Sequence, residues 1–155
     1  MRPPSLADPA LDAASVIRAL ELLRHPEGGH YRETWRDLPA DGGRGVATAI
    51  LYLLATGEHS HWHRVDAAEM WLWHAGAQLR LRQSIDGFVE ETRVLGPDLA
   101  LGATLQAVVP AGCWQAADTL GAWTLVSCVV APAFQFPGFE LAPAGWSPSS
   151  QGAPA

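Results

Sequence analysis

From His30 to Ala131 the chain is a nearly unbroken succession of short strand-like runs separated by turn residues, a pattern that neither a helical bundle nor an alternating βαβ protein carries. The runs are His30 to Arg36, Val46 to Thr56, Glu58 to Val65, Glu69 to Ala75, Gln78 to Ile85, Phe88 to Leu95, Leu105 to Val109 and Trp123 to Ala131. Asp86-Gly87, between the fifth and sixth runs, is a dipeptide suited to a tight hairpin turn. Ahead of them, Val16, Ile17, Leu20 and Leu23 share one side of an amphipathic helix predicted over 12–24, with Asp8-Pro9 or Asp12 as its start and His25-Pro26-Glu27-Gly28-Gly29 as its end. One short N-terminal helix followed by many strands predicts an all-β fold, an antiparallel sandwich or barrel.

Some strands have one wet face, as Leu79 and Leu81 against Arg80 and Arg82 imply. Others, from Ala49 to Leu54 and from Leu125 to Val130, are apolar on both. A strand covered on both faces needs a helix, a second sheet or another subunit outside it, and a homodimer is the simplest of these. At 155 residues the chain is long enough for one domain with a proper core. We assign residues 1–10 to a flexible N-terminus, 11–146 to a single domain, and 147–155, rich in Pro, Gly, Ser and Ala, to a disordered tail.

The net charge of −6, from 10 Lys and Arg against 16 Asp and Glu, repels phosphate backbones and anionic lipid. Nucleic acid and membrane partners are therefore not expected. Cys113 and Cys128 are too few for a disulfide framework and sit in apolar surroundings, which fits a reducing compartment. No apolar run reaches the ~20 residues of a membrane span, and the expected location is the cytoplasm. Gly42-Gly43-x-Gly45 lacks the strand-to-helix context of a phosphate-binding loop.

Chemistry concentrates in His59-Ser60-His61-Trp62-His63. In an extended strand the period of two puts the three imidazoles on one face and Glu58, Ser60, Trp62 and Arg64 on the other. Such a face offers metal ligands or an acid–base group. The longer pattern Gly57-x3-His61-x-His63-x5-Glu69-x6-Gly76 resembles the first cupin motif. Downstream, Val109-Pro110-Ala111-Gly112-Cys113-Trp114-Gln115 resembles the second, with Gln115 where that motif has its histidine. An amide is a poor transition-metal ligand and a good hydrogen-bonding group.

With His25-Pro26-Glu27-Gly28-Gly29-His30-Tyr31-Arg32-Glu33-Thr34, Leu95-Gly96-x-Asp98-Leu99 and Val130-Ala131-Pro132-x-Phe134-x-Phe136-x-x-Phe139-Glu140 in the same order, the chain from about Leu20 to about Leu141 resembles the cupin superfamily 5 domain. That resemblance implies a jelly-roll β-sandwich, usually a homodimer, similar in fold to deoxysugar-nucleotide epimerases and itself often labelled epimerase-like. It also implies that His63 and Glu69 belong to the family pattern, whereas His61 stands at a variable position.

An epimerase needs a base of near-neutral pKa on one side of its substrate, a proton donor on the other, and hydrogen bonds to the enolate. His63 fits the base and Glu69 its orienting carboxylate across adjacent strands; either tyrosine, Tyr31 or Tyr52, supplies the donor, with Tyr31 preferred because it shares a strand face with Glu33 and Trp35. Glu33, Trp71, Gln115, His61 and Tyr52 complete the expected pocket; Phe134, Phe136 and Phe139 are core or a lid at its mouth. The first reading is a metal-independent epimerase or isomerase, without cofactor, acting on a sugar-like or other small polar substrate. Two alternatives stand beside it: a metal-dependent cupin using His61, His63 and Glu69, and a pocket that binds a small metabolite without turnover.

Overall fold

The structure is a computed structural model that describes residues 3–148. Residues 1–2 and 149–155, which include most of the expected tail, lie outside the described residues. Among the described residues one α-helix, α1 (Ala13–Ala19), precedes eleven strands: β1 (Leu23–Arg24), β2 (His30–Arg36), β3 (Thr48–Ala55), β4 (His59–Val65), β5 (Ala68–Gly76), β6 (Leu79–Ser84), β7 (Glu91–Leu95), β8 (Gln106–Val109), β9 (Trp114–Thr119), β10 (Trp123–Ala131) and β11 (Phe139–Leu141). They form two antiparallel sheets, in the orders β1-β2-β3-β10-β5-β8 and β11-β4-β9-β6-β7. The two sheets close face to face as a jelly-roll sandwich, the all-β architecture expected.

The interior between the sheets is filled by Tyr52, Leu54, Trp71, Leu79, Leu81, Leu95, Val109 and Val126, all almost fully buried. The opposite face of β3 and β10 is apolar for a different reason. Leu53 and Leu125 pack there against Val16 and Leu22, so α1 and the turn after it cover that part of the outer face. The indole of Trp123 fastens the N-terminal segment by donating to the Leu11 carbonyl at 2.8 Å.

Three local expectations are corrected. The helix begins at the Asp12 cap, whose carboxylate accepts from the Ser15 amide at 2.7 Å, but it ends at Ala19 instead of reaching residue 24. Glu21 then takes a left-handed φ of 55°, which turns Leu22 into the core and leaves Leu23 72% exposed. The β6–β7 hairpin has no two-residue turn: its last pair is Gln83 with Glu91, and Asp86 caps the loop between them by accepting from the amides of Phe88 and Val89. Strands β9 and β11 lie outside the predicted runs. Trp-Gln-Ala-Ala-Asp-Thr has little intrinsic strand preference, and its central place between β4 and β6 makes it a strand.

Candidate functional site

The histidine-rich strand does not keep its alternation. In β4, His59 pairs with Asp118 and Ser60 with Ala117, yet the next registered pair is His63 with Gln115, so two residues oppose one on β9. This β-bulge reverses the facing of everything after Ser60. Ser60, 0% exposed, and His63, 2% exposed, both point into the barrel. His59 and His61 stand outside it, in ring contact with each other, and the His61 Nε2 lies 3.0 Å from the Pro143 carbonyl of the C-terminal segment. The expectation of three imidazoles on one face is therefore corrected to one imidazole and one hydroxyl.

The turn from His25 to Gly29 supplies what the strand withholds. Gly28 and Gly29 have φ of 110° and 74°, and a Cβ on Gly28 would lie 2.0 Å from the His59 carbonyl oxygen. Only glycine allows the turn to lie this close to β4, where the His61 amide donates to the Glu27 carbonyl at 2.8 Å. The close approach drives the Glu27 side chain into the barrel. Its Oε1 accepts from Ser60 Oγ at 2.8 Å and its Oε2 lies 3.2 Å from His63 Nε2. The Tyr52 hydroxyl donates to the Gly28 carbonyl beside it.

A second set of bonds fixes the opposite wall. The Trp71 indole, which can only donate, gives its hydrogen to Gln115 Oε1 at 2.7 Å. The Gln115 amide nitrogen must then face Glu69, and it donates to Oε2 at 2.7 Å. Glu69 rises from β5 of one sheet and His63 from β4 of the other, so they face across the barrel instead of pairing on adjacent strands. The groups within hydrogen-bonding reach of the His63 ring are the Glu27 carboxyl and the His61 carbonyl, the latter 2.8 Å from Nδ1. The orienting carboxylate of His63 is therefore Glu27, not Glu69.

Burial sets the protonation of this cluster. Desolvation raises the Glu27 carboxyl above the usual range and pushes Glu69 up to about 7, against the opposing pull of a charged His63. The same desolvation lowers His63 and His25. His63 Nδ1 must carry a proton to meet a carbonyl, so a neutral His63 ring turns its Nε2 lone pair toward Glu27. In His25, Nδ1 accepts from the Glu27 amide at 3.1 Å, which leaves the ring hydrogen on Nε2. Cys128, buried beside Glu69, is held well above the ordinary thiol range by burial and neighbouring carboxylates, and stays a thiol.

A small cavity of about 70 Å³ reaches this cluster from the surface; Glu69, Tyr31, His25, Ile50, Cys128 and Phe134 are among its walls. Glu33 stands at the rim, held by a two-pronged pair with Arg36 at 2.8 Å. Phe136 lies at the mouth, and Phe139 packs against the His63 ring. Of the expected site residues, Glu69, Tyr31 and Glu33 thus meet the cavity. His63, Gln115, Trp71 and Tyr52 are buried behind or beneath it, and His61 is outside the barrel. Glu27 and His25 were not among the expected site residues. The sequence offers them as the turn that ends the helix and as part of the motif His25 to Thr34, with no sign of which way Glu27 faces.

The cupin pattern implies a metal held by histidines and a glutamate, and the donors do not fit one. His61 is turned outward, Gln115 commits both ends of its amide, and one oxygen of Glu69 is taken by that amide. Among the described residues no three histidine, cysteine or carboxylate side chains are placed to share a metal ion.

Comparison with known proteins agrees with this architecture. The family model described as Cupin superfamily (DUF985) matches residues 14–142. A crystal structure from Shewanella oneidensis is 41% identical, with 85% of each chain covered and a TM-score of 0.80. A hypothetical protein from Leishmania major is 29% identical over 88% of this chain and 90% of its own, with a TM-score of 0.78. Oxalate decarboxylase from Bacillus subtilis, 13% identical over 76% of this chain and 29% of its own with a TM-score of 0.59, shares the fold alone. No protein of curated function matches the chain.

Proposed function

The chain belongs to the DUF985 family of the cupin superfamily, and from that membership and the chemistry of its barrel we propose that it is a metal-independent isomerase or epimerase acting on a small, polar, carbonyl-bearing substrate. The observation that carries this reading is a carboxyl group, Glu69, raised by burial to about 7 and exposed to a cavity. A group with that affinity for protons takes and returns one at neutral pH, the property a general acid–base catalyst needs.

In this reading the Glu69 carboxylate removes the hydrogen next to the substrate carbonyl, and the C–H electron pair moves onto the carbonyl oxygen as an enolate. The His25 Nε2 hydrogen stabilises that oxygen as a neutral donor. Tyr31 stands on β2, three strand intervals from Glu69 in the same curved sheet, so substrate lies between the two groups. Its hydroxyl returns a proton to carbon from the opposite side, and the proton on Glu69 passes back to the tyrosinate or to solvent. His63 and Glu27 act behind the cavity wall, where their contact holds the turn that carries His25. These are positioning roles, and the base role expected of His63 passes to Glu69.

The test is hydrogen exchange. A panel of small hydroxy-aldehydes and hydroxy-ketones incubated with the protein in D₂O should include a compound that gains deuterium beside its carbonyl, as followed by NMR. Glu69→Gln should lower that exchange roughly 10²–10⁴-fold while leaving ligand binding in place. Exchange undiminished in Glu69→Gln removes the acid–base assignment. A panel that binds without exchanging instead leaves the pocket a binding site.

A further inference from the structure

We propose that the Glu69 cavity takes a very short, uncharged hydroxycarbonyl compound, its length limited by the braced mouth of the cavity and its charge by the Glu33–Arg36 pair at the rim; the carbonyl in this substrate class rests on the acid–base reading of Glu69. A cavity of about 150 Å³ holds one benzene molecule, so one of about 70 Å³ holds roughly three non-hydrogen atoms. The carbonyl group and the carbon beside it fill that space. A sugar ring does not fit in it, alone or carried on a nucleotide.

The mouth is braced, so this volume is a property of the fold. Arg36, on β2, donates through Nη1 to the Phe134 carbonyl at 2.8 Å and joins the two sides of the opening. The Phe134 amide donates to Thr48 Oγ at 3.0 Å, and Arg44 Nε donates to the Ala133 carbonyl at 2.7 Å. Phe136 packs on Phe134 with ring centroids 5.2 Å apart. Moving the segment from Ala133 to Phe136 outward breaks these bonds together, and a longer molecule has to do so to enter.

The lining selects charge as well as length. Among the described residues around the cavity, Arg36 is the one arginine or lysine, and its guanidinium is committed: Nε and Nη2 each meet a Glu33 oxygen at 2.8 Å. Even with Glu69 neutral the walls carry no surplus positive charge (+1 − 1). A carboxylate or phosphate would enter beside two carboxyl groups without a free cation to meet it. Neutral donors do remain. His25 has its Nε2 hydrogen, and Thr48, which accepts from the Phe134 amide, has its hydroxyl hydrogen to give. They suit a carbonyl and a hydroxyl oxygen on neighbouring carbons, with Ile50 and Val130 as the apolar wall for the hydrogen or methyl end.

The test is binding to the full-length ¹⁵N-labelled protein, followed by NMR, with exchange in D₂O measured on the same compounds. Hydroxyacetone should shift the amides of His25, Tyr31 and Cys128 saturably, with a dissociation constant on the order of 1–10 mM. Glycolate, in which a charged oxygen replaces the methyl group, should bind about tenfold more weakly, and so should the longer 1-hydroxypentan-2-one. Ile50→Ala takes an ethyl and a methyl group out of the wall and should cut the discrimination against the longer ketone about fivefold, with glycolate still disfavoured. The comparisons on the parent protein stand without that variant. Glycolate bound as tightly as hydroxyacetone, no preference for the shorter ketone, or no saturable shift with hydroxyacetone, as for a cavity that holds only water, would each overturn the proposal. Limits on length and charge that hold while no compound exchanges its hydrogen would refute the acid–base reading of Glu69 and leave those limits standing.

Discussion

The Nε2 of His63 lies 3.2 Å from Oε2 of Glu27, a contact between the middle of a barrel strand and the turn that leads into β2. Both groups are buried, and Glu27 also receives the Ser60 hydroxyl. Removing one side of such a contact strands the other without its partner. Glu27→Ala should therefore cost about 2–4 kcal/mol, whereas Glu27→Gln, which keeps an acceptor for Ser60 and a donor for His63, should cost about 1 kcal/mol. Denaturant unfolding of the two variants measures this, and equal losses would show that the hydrogen bonds do not hold the turn.

Glu69 makes a pH prediction with a definite sign. Its carboxyl is raised from 4.5 to about 7 in the folded protein, so the native state holds this proton more tightly than the unfolded chain does. The stability it contributes is present at low pH and is lost as pH rises from about 4.5 through 7. Glu69→Gln removes that loss and keeps the acceptor for Gln115. The stability of Glu69→Gln relative to the parent should thus increase across this window, by up to about 3 kcal/mol, and level off above it. His63, lowered by burial, has the opposite slope over the lower part of the window, which is why the difference between the two proteins is the quantity to measure. A constant difference from pH 4 to pH 8 would contradict the raised carboxyl.

The strands were legible because their residues state the pleat: in β6, Leu79 and Leu81 point inward between arginines, and in β10 the β-branched run marks a central strand. The site was legible only in part. Spacing identifies Glu69 and Gln115, which the two sheets bring within 2.7 Å, but spacing along β4 misleads, since one bulge moves His61 outside and brings Ser60 in with His63. Glu27 was hidden for another reason. A residue in a turn has no periodicity to show which way it faces, and its partners Ser60 and His63 lie far along the chain. What could be read is that a glycine pair follows it, a sign of a backbone lying against something.

Oligomeric state follows from the outer face that α1 leaves uncovered. Trp35 registers with Ala49, Ala49 with Val129, Val129 with Met70, and Met70 with Val108, an apolar row across five neighbouring strands. Trp35 is 49% exposed and Val108 43%. A second copy of the chain laid across this row would bury it, and light scattering at micromolar concentration should give the mass of a homodimer. Val129→Glu places a charge at its centre and should yield a monomer. A monomeric parent protein removes the expectation altogether.

Gly28 is the position at which the fold and the site depend on the same missing atom. Its φ of 110° is strained for any residue with a side chain, and a Cβ there would meet the His59 carbonyl oxygen at 2.0 Å, a backbone atom that cannot turn aside. Gly28→Ala must push the turn away from β4, breaking the bond from the His61 amide to the Glu27 carbonyl and withdrawing Glu27 from His63 and Ser60. The expected loss is about 3 kcal/mol or more, from strain together with the stranded buried groups. Gly57→Ala is the control. Gly57 also has a positive φ, 83°, but open space around its Cβ position, so only the strain remains and the loss should be about 1 kcal/mol. Comparing the two melting curves separates contact from conformation, and equal losses would mean that the approach of the turn to β4 is not what fixes Glu27 in the barrel.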